Sequence, residues 1–480
     1  MDDPMRRALL SRREVLKRSG GLLALAGLGP VLAACGGSGG STTSAPAASS
    51  EAAATTTAGG SSTAAAVTAK DIKMWWWGEQ EAVGIQKWMD DTLAKWKEQT
   101  GAKVDPLLRD TDQVIPQFPK AAAAGDVPDV QFLFNGIYHM ENVWLDYLTP
   151  LDGLLSPDTI ANGGGTTMSS FEGKSYRTGF YAIGFGIAYN KALFTKAGLD
   201  PEAPPTTWEA FTEACTKLKA AGIIPISGGV KDGFLGEWYL VNALTQNLNS
   251  AADAINLFIG ELDWNDPKYH EHWSKLEEIK KNGWINDDAT SLELYQGIEL
   301  FDNGKSAMCF NTTPAIPNSQ SKIGADNLGY IVMPTFGTGS MAGVPILDTQ
   351  GFGIPTKAKD PQSAAAFIDF MHTPDRLQAM WTISKQVPAD SRFDSSVIDV
   401  PLIKAVQEKW IAGPHNVYVA DLMPTLFWTD AMFVASQKIL GGSMTGTEAG
   451  KLAAEVTAKW KKQNPDKVSK YQTWGKDLSA

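Results

Sequence analysis

From residue 70 onward the chain alternates short apolar runs with amphipathic segments, and this alternation limits the fold more than any other feature. The run DIKMWWW has the length of a buried strand. The segment QEAVGIQKWMDDTLAKWKEQTG follows it, with apolar residues at helical spacing and Gly101 as a stop. Further strand candidates are DVQFLF, GIAYN, SAMCFN and LGYIVM. Strand then helix, repeated, predicts an α/β fold with a parallel sheet covered by helices on both faces, whereas an all-helical protein does not explain the β-rich runs.

The first 34 residues have the pattern of an export signal. SRREVLK closely resembles the twin-arginine signal, and the apolar stretch after it is too short to span a membrane. LAAC, which ends at Cys35, resembles a bacterial lipobox, in which the cysteine receives a diacylglyceryl group. This resemblance implies that residues 1–34 are a twin-arginine lipoprotein signal peptide and that Cys35 is the lipid attachment point.

Residues 35–69 are almost entirely Gly, Ser, Thr and Ala. Such a segment buries too little apolar surface to fold, so we expect a flexible linker with an r.m.s. span of roughly 30 Å. The predicted location is the outer face of the cytoplasmic membrane, lipid-anchored, in an extracellular or periplasmic compartment. The protein is then expected to work close to a membrane partner.

Composition removes several classes of function. The 480 residues suffice for two domains with sizeable cores, and the formal net charge of −11 is a poor match for nucleic acid. His270 and His272 would point apart on a helix, so we expect solvated surface rather than a metal site. Cys215 and Cys309 could form a disulfide, but both lie in segments that read as buried helix and strand, which favours free thiols.

The first strand end is a candidate ligand site, because ligands bind outside the carboxyl ends of strands in open α/β sheets. Trp77, Glu79 and Gln80 lie where DIKMWWW ends and its helix begins. Asn135, after FLF, would share that crevice if the two strands are neighbours. An alternative for Glu79 is a favourable charge at the helix N-terminus, and an alternative for Asn135 is a turn residue.

Three motifs in order resemble a known family. They are GIAYNKALFTKAGLDPEAPPTTWEAFTEACTKLKAAGIIPI, LFDNGKSAMCFNTTPA and QGFGIPTKAKDPQSAAAFIDFMHTPDRLQAMW. Together they closely resemble the extracellular solute-binding proteins, family 1, of ABC importers, and the chain is similar to the maltose-binding proteins among them. The resemblance implies a two-lobed periplasmic-binding-protein fold (type II) with the ligand cleft between the lobes. Crossovers are expected near Ile183, Asp348 and Val387, with lobe 1 at 70–182 and 349–386 and lobe 2 at 183–348 and 387–480.

The same resemblance implies further ligand contacts. Two aromatic residues match positions that stack on sugar rings, one aromatic lies near the first crossover, and two polar residues lie at the second crossover. The loop NTTPAIPN lacks the tryptophan found there in maltose-binding proteins and offers an asparagine, which points to a sugar other than maltose. The two stacking aromatics are Trp238 and Trp428, and the aromatic near the first crossover is Tyr181. The polar residues at the second crossover are Asp348 and Gln350, and the asparagine of the loop is Asn311.

The predicted function is sugar capture by hinge closure and delivery to a permease. Indole rings cover the apolar face of a pyranose, while carboxylates and amides bind its hydroxyl rim. We expect a monomer without catalytic residues, metal or cofactor, whose partners are a small-molecule sugar, the transmembrane subunits of an ABC permease and the membrane. Alternatives are a polyol or glycerol-phosphate ester in the same fold, an adhesive lipoprotein, and a secreted glycoside hydrolase using Glu79 and Asp348.

Overall fold

The computed structural model describes residues 68–109, 111–133 and 139–478. The predicted signal peptide, the predicted linker as far as residue 67, Cys35 and Asn135 lie outside the described residues. Over the described ranges, we find no helix that combines the length and the apolar character needed to cross a membrane.

The described residues form an α/β structure. The strands are β1 (Ile72–Trp76), β2 (Val104–Leu108), β3 (Val130–Leu133), β4 (Ser170–Phe171), β5 (Lys174–Ser175), β6 (Thr178–Asn190), β7 (Ile224–Ser227), β8 (Ser306–Thr312), β9 (Leu328–Ile331), β10 (Ile346–Gly353) and β11 (Asn416–Val417). The helices are α1 (Ile85–Thr100), α2 (Thr111–Ala124), α3 (His139–Trp144), α4 (Pro157–Asn162), α5 (Lys191–Lys196), α6 (Trp208–Ala220), α7 (Phe234–Leu244), α8 (Ala251–Phe258), α9 (Pro267–Lys281), α10 (Leu294–Asp302), α11 (Ile316–Ile323), α12 (Pro361–Met371), α13 (Pro374–Ser384), α14 (Pro401–Val406), α15 (Thr425–Phe427), α16 (Phe433–Leu440), α17 (Gly446–Gln463) and α18 (Pro465–Asp477).

The main sheet is mixed rather than parallel. Its order is β2-β1-β3-β10-β6-β8-β7, with β9 paired to β6 and β11 paired to β10. The parallel pairing predicted from the strand–helix alternation is found at β1–β2, β1–β3 and β7–β8. The prediction of a wholly parallel sheet is wrong, because β10 runs antiparallel to both β3 and β6, and β6 runs antiparallel to β8. These two strands join the two parallel groups.

The long strand β6 passes from one parallel group to the other. All thirteen of its residues are buried, and it pairs with β10 through its first half and with β8 and β9 through its second. Asp348 lies opposite Ile183 in this ladder, and the Ala182 N–H donates to the Val387 carbonyl oxygen at 2.9 Å. The three positions expected to be crossovers are therefore neighbours in space. The division into two lobes at these positions stays a prediction.

A glycine in the middle of β6 allows a large ring to approach. A Cβ atom at Gly184 would lie 2.8 Å from Cε3 of Trp410 and 2.9 Å from Cγ2 of Thr313. Real Cβ contacts are longer than this, so the strand packs this closely only because residue 184 has no side chain.

Helix α1 follows its sequence pattern closely. Ile85, Trp88, Met89 and Trp96 are buried on one face, as helical spacing predicts. The helix ends at Gly101, which has a φ of 77° and donates its N–H to the Lys97 carbonyl oxygen. The stop predicted from the sequence is confirmed.

Cys215 and Cys309 are buried free thiols, as the packing interpretation favoured. The two histidines are not on the surface, and that prediction is wrong. His270 and His272 are 6% and 1% exposed on α9, and His272 packs against Trp273 with ring centroids 4.3 Å apart. Burial lowers the pKa of His272 to about 3, so its ring is neutral. Apolar packing on both sides of the helix overrides the polar sequence YHEHW.

Candidate functional site

A small, partly open cavity lies beside the turn that follows β1, against β6 and β10. Its volume of about 30 Å³ is room for roughly two water molecules. The turn after β1, strands β6 and β10, helices α7 and α10, and the segment after β11 all contribute side chains. The lining residues are Trp77, Glu81, Phe185, Phe234, Glu237, Trp238, Leu294, Tyr295, Asp348, Gln350 and Tyr418.

Glu81 is a buried carboxyl group in this cavity. The turn between β1 and α1 directs it inward, where it is 5% exposed. The Tyr181 hydroxyl donates to Glu81 Oε2 at 3.1 Å, and Gln350 Nε2 donates to the same oxygen at 3.4 Å. Burial raises the pKa of Glu81 from 4.5 to about 8, although these hydrogen bonds partly oppose the rise. In this conformation the group is therefore mostly protonated at neutral pH.

Glu237 is the second buried carboxyl group. It lies on α7, a helix whose residues from Leu235 to Leu244 are all buried. The Tyr418 hydroxyl donates to Glu237 Oε1 at 2.6 Å, and the Trp428 indole N–H donates to its other oxygen. Burial raises the pKa of Glu237 to about 7, against the lowering effect of these two donors.

Asp348 is the third acidic side chain and is 3% exposed on β10. Its Oδ1 accepts the Thr349 N–H at 2.6 Å. Its charge also contributes to the raised pKa values of Glu81 and Glu237, after the larger effect of burial. The three carboxyl groups therefore act on one another within one site.

Gln350 supplies an acceptor that no described residue uses. Its side chain is buried in β10, and its Oε1 has no hydrogen-bond partner among the described residues, while its Nε2 donates to Glu81. An unsatisfied buried carbonyl oxygen is unfavourable by about 1–3 kcal/mol. A donor on a bound molecule would remove this penalty.

Aromatic rings form most of the remaining wall. Phe185 and Tyr418 stack with centroids 4.3 Å apart, and Trp238 meets Phe185 edge-on at 5.7 Å. Tyr295 lies edge-on to Trp238 at 6.4 Å and remains 38% exposed. These contacts hold the rings rigidly around the carboxyl groups.

A second, larger and more polar cavity adjoins the first. Its volume is about 280 Å³, and it shares Glu81 and Tyr295 with the first cavity. Helices α10 and α11 and the end of β8 supply most of its wall. Its other lining residues are Gln80, Val83, Ile298, Glu299, Asp302, Asn303, Asn311, Thr312, Ala315, Asn318 and Lys322.

The structure brings most of the residues singled out in the sequence to these two cavities. Four line the smaller cavity, two line the larger one, and two donate hydrogen bonds to the buried carboxyl groups. The smaller cavity is lined by Trp77, Trp238, Asp348 and Gln350, and the larger cavity by Gln80 and Asn311. The two hydrogen-bond donors are Tyr181 and Trp428. Whether they contact a ligand stays a prediction.

Glu79 lies away from both cavities. It is exposed, and its Oε2 accepts the Gly84 N–H at 2.9 Å just before α1 begins. The geometry favours the alternative interpretation of Glu79 as a helix N-terminal acid.

The sequence interpretation missed Glu81, Glu237, Tyr295 and Tyr418. One signal was available for Glu237, because a lone carboxylate in FLGEWYLVNAL interrupts an otherwise apolar helix. No comparable signal marks Tyr295 or Tyr418. Glu81 lies in a turn without periodicity, so its inward direction could not be read from the sequence.

The family model for bacterial extracellular solute-binding proteins matches residues 78–376. The chain belongs to this family. Its members are binding proteins that act outside the cytoplasm, which agrees with the predicted recognition and the coarse location. Lipid anchoring and the monomeric state stay predictions.

Curated relatives match over shorter segments. The sn-glycerol-3-phosphate-binding periplasmic protein UgpB of Shigella dysenteriae is 34% identical over 151 residues, which are 31% of this chain and 33% of the relative. The chain thus spans about a third of that relative's length at this level of similarity.

Solved structures share the whole fold. A chitin oligosaccharide binding protein superposes with a TM-score of 0.72 at 22% identity, covering 82% of this chain and 98% of that chain. An ABC transporter solute-binding protein from Thermotoga lettingae, bound with α-D-tagatose, gives a TM-score of 0.68 at 17% identity, covering 81% of this chain and 99% of that chain. The predicted two-lobed, type II periplasmic-binding-protein fold is confirmed.

Proposed function

We propose that this protein is the substrate-binding lipoprotein of an ABC importer, that it captures a sugar by hinge closure, and that it delivers the sugar to a membrane permease. The observation that carries this proposal is the cavity at the meeting of β1, β6 and β10. It combines Trp77 and Trp238 with three buried carboxyl groups. Indole faces suit the C–H face of a pyranose, and carboxyl and amide groups suit its hydroxyls.

Hinge closure follows from the size of the cavity. Ligand sites commonly measure about 300–1,000 Å³, so a pyranose cannot enter a cavity of about 30 Å³ without movement of its walls. The strands β6 and β10 and the segment at Val387 are the connections about which the walls could separate. A sugar that favours the closed state would shift the open–closed equilibrium towards it.

The chitin oligosaccharide binding protein and the tagatose-bound protein, which share the fold, support a sugar as the ligand. UgpB supports the alternative of a glycerol-phosphate ester. The cavity chemistry supports the sugar over the phosphate ester. Among the described residues, no Lys or Arg lines the smaller cavity. The larger cavity contains Lys322, but Glu299 and Asp302 accompany it. A phosphate group would face three carboxyl groups without a compensating cation, so we favour the sugar.

The test is tryptophan fluorescence of the purified protein, titrated with mono- and oligosaccharides and with glycerol 3-phosphate. We expect a saturable change with a sugar and none with glycerol 3-phosphate. Trp238→Ala and Tyr295→Ala should weaken binding at least 10-fold, whereas Trp75→Ala should not. Trp75 is a suitable control because it lies in the same WWW stretch but is half-buried beneath Arg109, outside the cavity.

Three further readouts separate the components of the proposal. A decrease in the radius of gyration on adding sugar would support hinge closure. Chromatography of the sugar after prolonged incubation should show no product, because we propose binding without turnover. The wild-type protein expressed in a bacterial host should partition with membranes, and Cys35→Ser should remain soluble. If the folded protein shows no fluorescence change with any sugar of the panel, the assignment as a sugar-binding protein is refuted.

A further inference from the structure

Four polar side chains that line the smaller cavity present hydrogen-bond acceptors. Glu81, Glu237 and Asp348 present carboxyl oxygens, and Gln350 presents an Oε1 that has no partner in the described part of the chain. Gln350 is 2% exposed, so no bulk water reaches it. A group that occupies this cavity should therefore bring donors and few acceptors of its own.

The charge around the cavity is one-sided. Besides burial, the charges that most strongly affect the pKa values of Glu81 and Glu237 are those of other carboxylates. Arg177 is buried on the other side of β10, where its charge favours ionised Asp348 and Asp421, but it is not among the lining residues. The described part of the chain thus supplies no positive charge to the cavity itself.

The aromatic walls reinforce this preference. Trp77, Trp238 and Tyr418 surround the acidic groups, and the faces of such rings carry negative electrostatic potential. A cation within about 6 Å of an aromatic face is attracted by the negative potential of the ring. Rings and carboxyl groups therefore favour the same charge.

A hydroxyl group fits this environment less well than an ammonium group. A hydroxyl has one donor and two lone pairs, and those lone pairs would face further acceptors. An ammonium has three donors and no acceptor, and its charge offsets the repulsion among the carboxylates. The cavity volume of about 30 Å³ holds a group of that size.

We propose that the bound sugar is an amino sugar, whose protonated amine occupies the smaller cavity between Glu81, Glu237 and Gln350. When the walls separate, its ring lies against Trp77 and Trp238, and its remaining hydroxyls extend towards the adjoining cavity of about 280 Å³, which shares Glu81 with the first. This inference rests on the proposed function, because it names the chemical class of the sugar at that site.

The test is calorimetric titration of the purified protein at pH 7 with matched sugars. The panel contains the 2-, 3- and 6-amino-deoxy forms of glucose, galactose and mannose, the parent sugars and their N-acetylated forms, with putrescine and glycerol 3-phosphate as non-sugar ligands. Each set keeps the ring and changes only one substituent among ammonium, hydroxyl and acetamide. We expect at least one amine to bind 10-fold or more tightly than both of its neutral counterparts.

Two variants test the contact itself. Glu237→Gln and Glu81→Gln keep the shape of the side chain and prevent it from ionising beside a bound amine. Loss of an ionisable hydrogen-bond partner should weaken amine binding about 10- to 100-fold, and it should weaken binding of the parent sugar by a clearly smaller factor, because an amide oxygen can still accept a hydroxyl. A merely structural role would weaken both ligands alike. Glu213→Gln, an exposed carboxylate on α6, is the matched control for net charge and should change neither.

The outcomes separate this inference from the proposed function. If a neutral sugar binds as tightly as its amine, the inference is overturned and sugar capture stands. If putrescine binds tightly and no sugar binds, both fall and a cation-binding site remains. If glycerol 3-phosphate alone binds, both fall in favour of a phosphate ester.

Discussion

The raised pKa of Glu81 leads to a quantitative prediction about pH. Burial raises this pKa from 4.5 to about 8, so the structure described here binds a proton that the unfolded chain releases above pH 4.5. The contribution of Glu81 to stability is therefore largest at low pH and falls as the pH rises from the unfolded pKa towards the folded pKa. Each pKa unit corresponds to 1.36 kcal/mol. Between pH 5 and pH 8 the free energy of unfolding should fall by about 3 kcal/mol from this group alone.

The perturbation is Glu81→Gln, which keeps the shape and cannot ionise. At pH 5 the variant and the wild type should have similar stability. At pH 8 the variant should be more stable by about 3 kcal/mol. Urea denaturation at both pH values measures the difference. Glu79→Gln, an exposed neighbour on the same turn, should change with pH as the wild type does.

Opening of the cavity would also remove the free-energy cost of burying an ionised Glu81. If the wild type opens at pH 8, water reaches Glu81 and the stability difference shrinks. The radius of gyration should then rise with pH in the wild type but not in Glu81→Gln. Parallel pH profiles of the two proteins, together with an unchanged radius of gyration, would refute the reasoning, because Glu81 would then be hydrated already.

Three further substitutions test the surrounding packing. Trp428→Phe removes a donor to Glu237 and should raise the pKa of that carboxyl group and destabilise the protein by about 1–3 kcal/mol, measured by pH titration and urea denaturation. Gly184→Ala places a methyl group 2.8 Å from the Trp410 ring and should destabilise by about 1–3 kcal/mol without lowering affinity in the folded fraction. Burial alone would raise the pKa of Asp390, but hydrogen bonds from Arg392 and His372 hold it below its ordinary value of 3.8. Asp390→Asn should therefore destabilise by about 3 kcal/mol at pH 7, and the difference from the wild type should shrink as the pH falls below 3.8.

The sequence was a good guide where one periodicity governs an element. Alternation in DIKMWWW indicated a strand that leads Trp77 into a crevice, and helical spacing located α1 and its end at Gly101. The antiparallel placement of β10 could not be read in this way. It depends on pairings with strands more than 150 residues earlier in the chain, and local patterns carry no information on such pairings.

The candidate site was harder to predict because its carboxyl groups lie where periodicity fails. Glu79 and Glu81 occupy one turn, and the positive φ angles of Gly78 and Gly84 redirect the chain there, so neither position could be assigned inward from spacing. Glu237 lies on a helix that is buried on every side, so the sequence has no polar face that would indicate the direction of this side chain. His270 and His272 of α9 show that a polar sequence can also be buried, because both side chains pack inside the protein.

Burial of these carboxyl groups connects stability to ligand capture. Each carboxylate loses hydration when the cavity closes, and the raised pKa values of Glu81 and Glu237 measure that penalty. Closure around water alone must therefore bind protons or leave charge poorly solvated. A ligand that donates hydrogen bonds to Glu81, Glu237 and Gln350 removes this penalty only in the closed state. Such a ligand has a higher affinity for the closed form than for the open form, and this difference is what shifts the equilibrium towards closure.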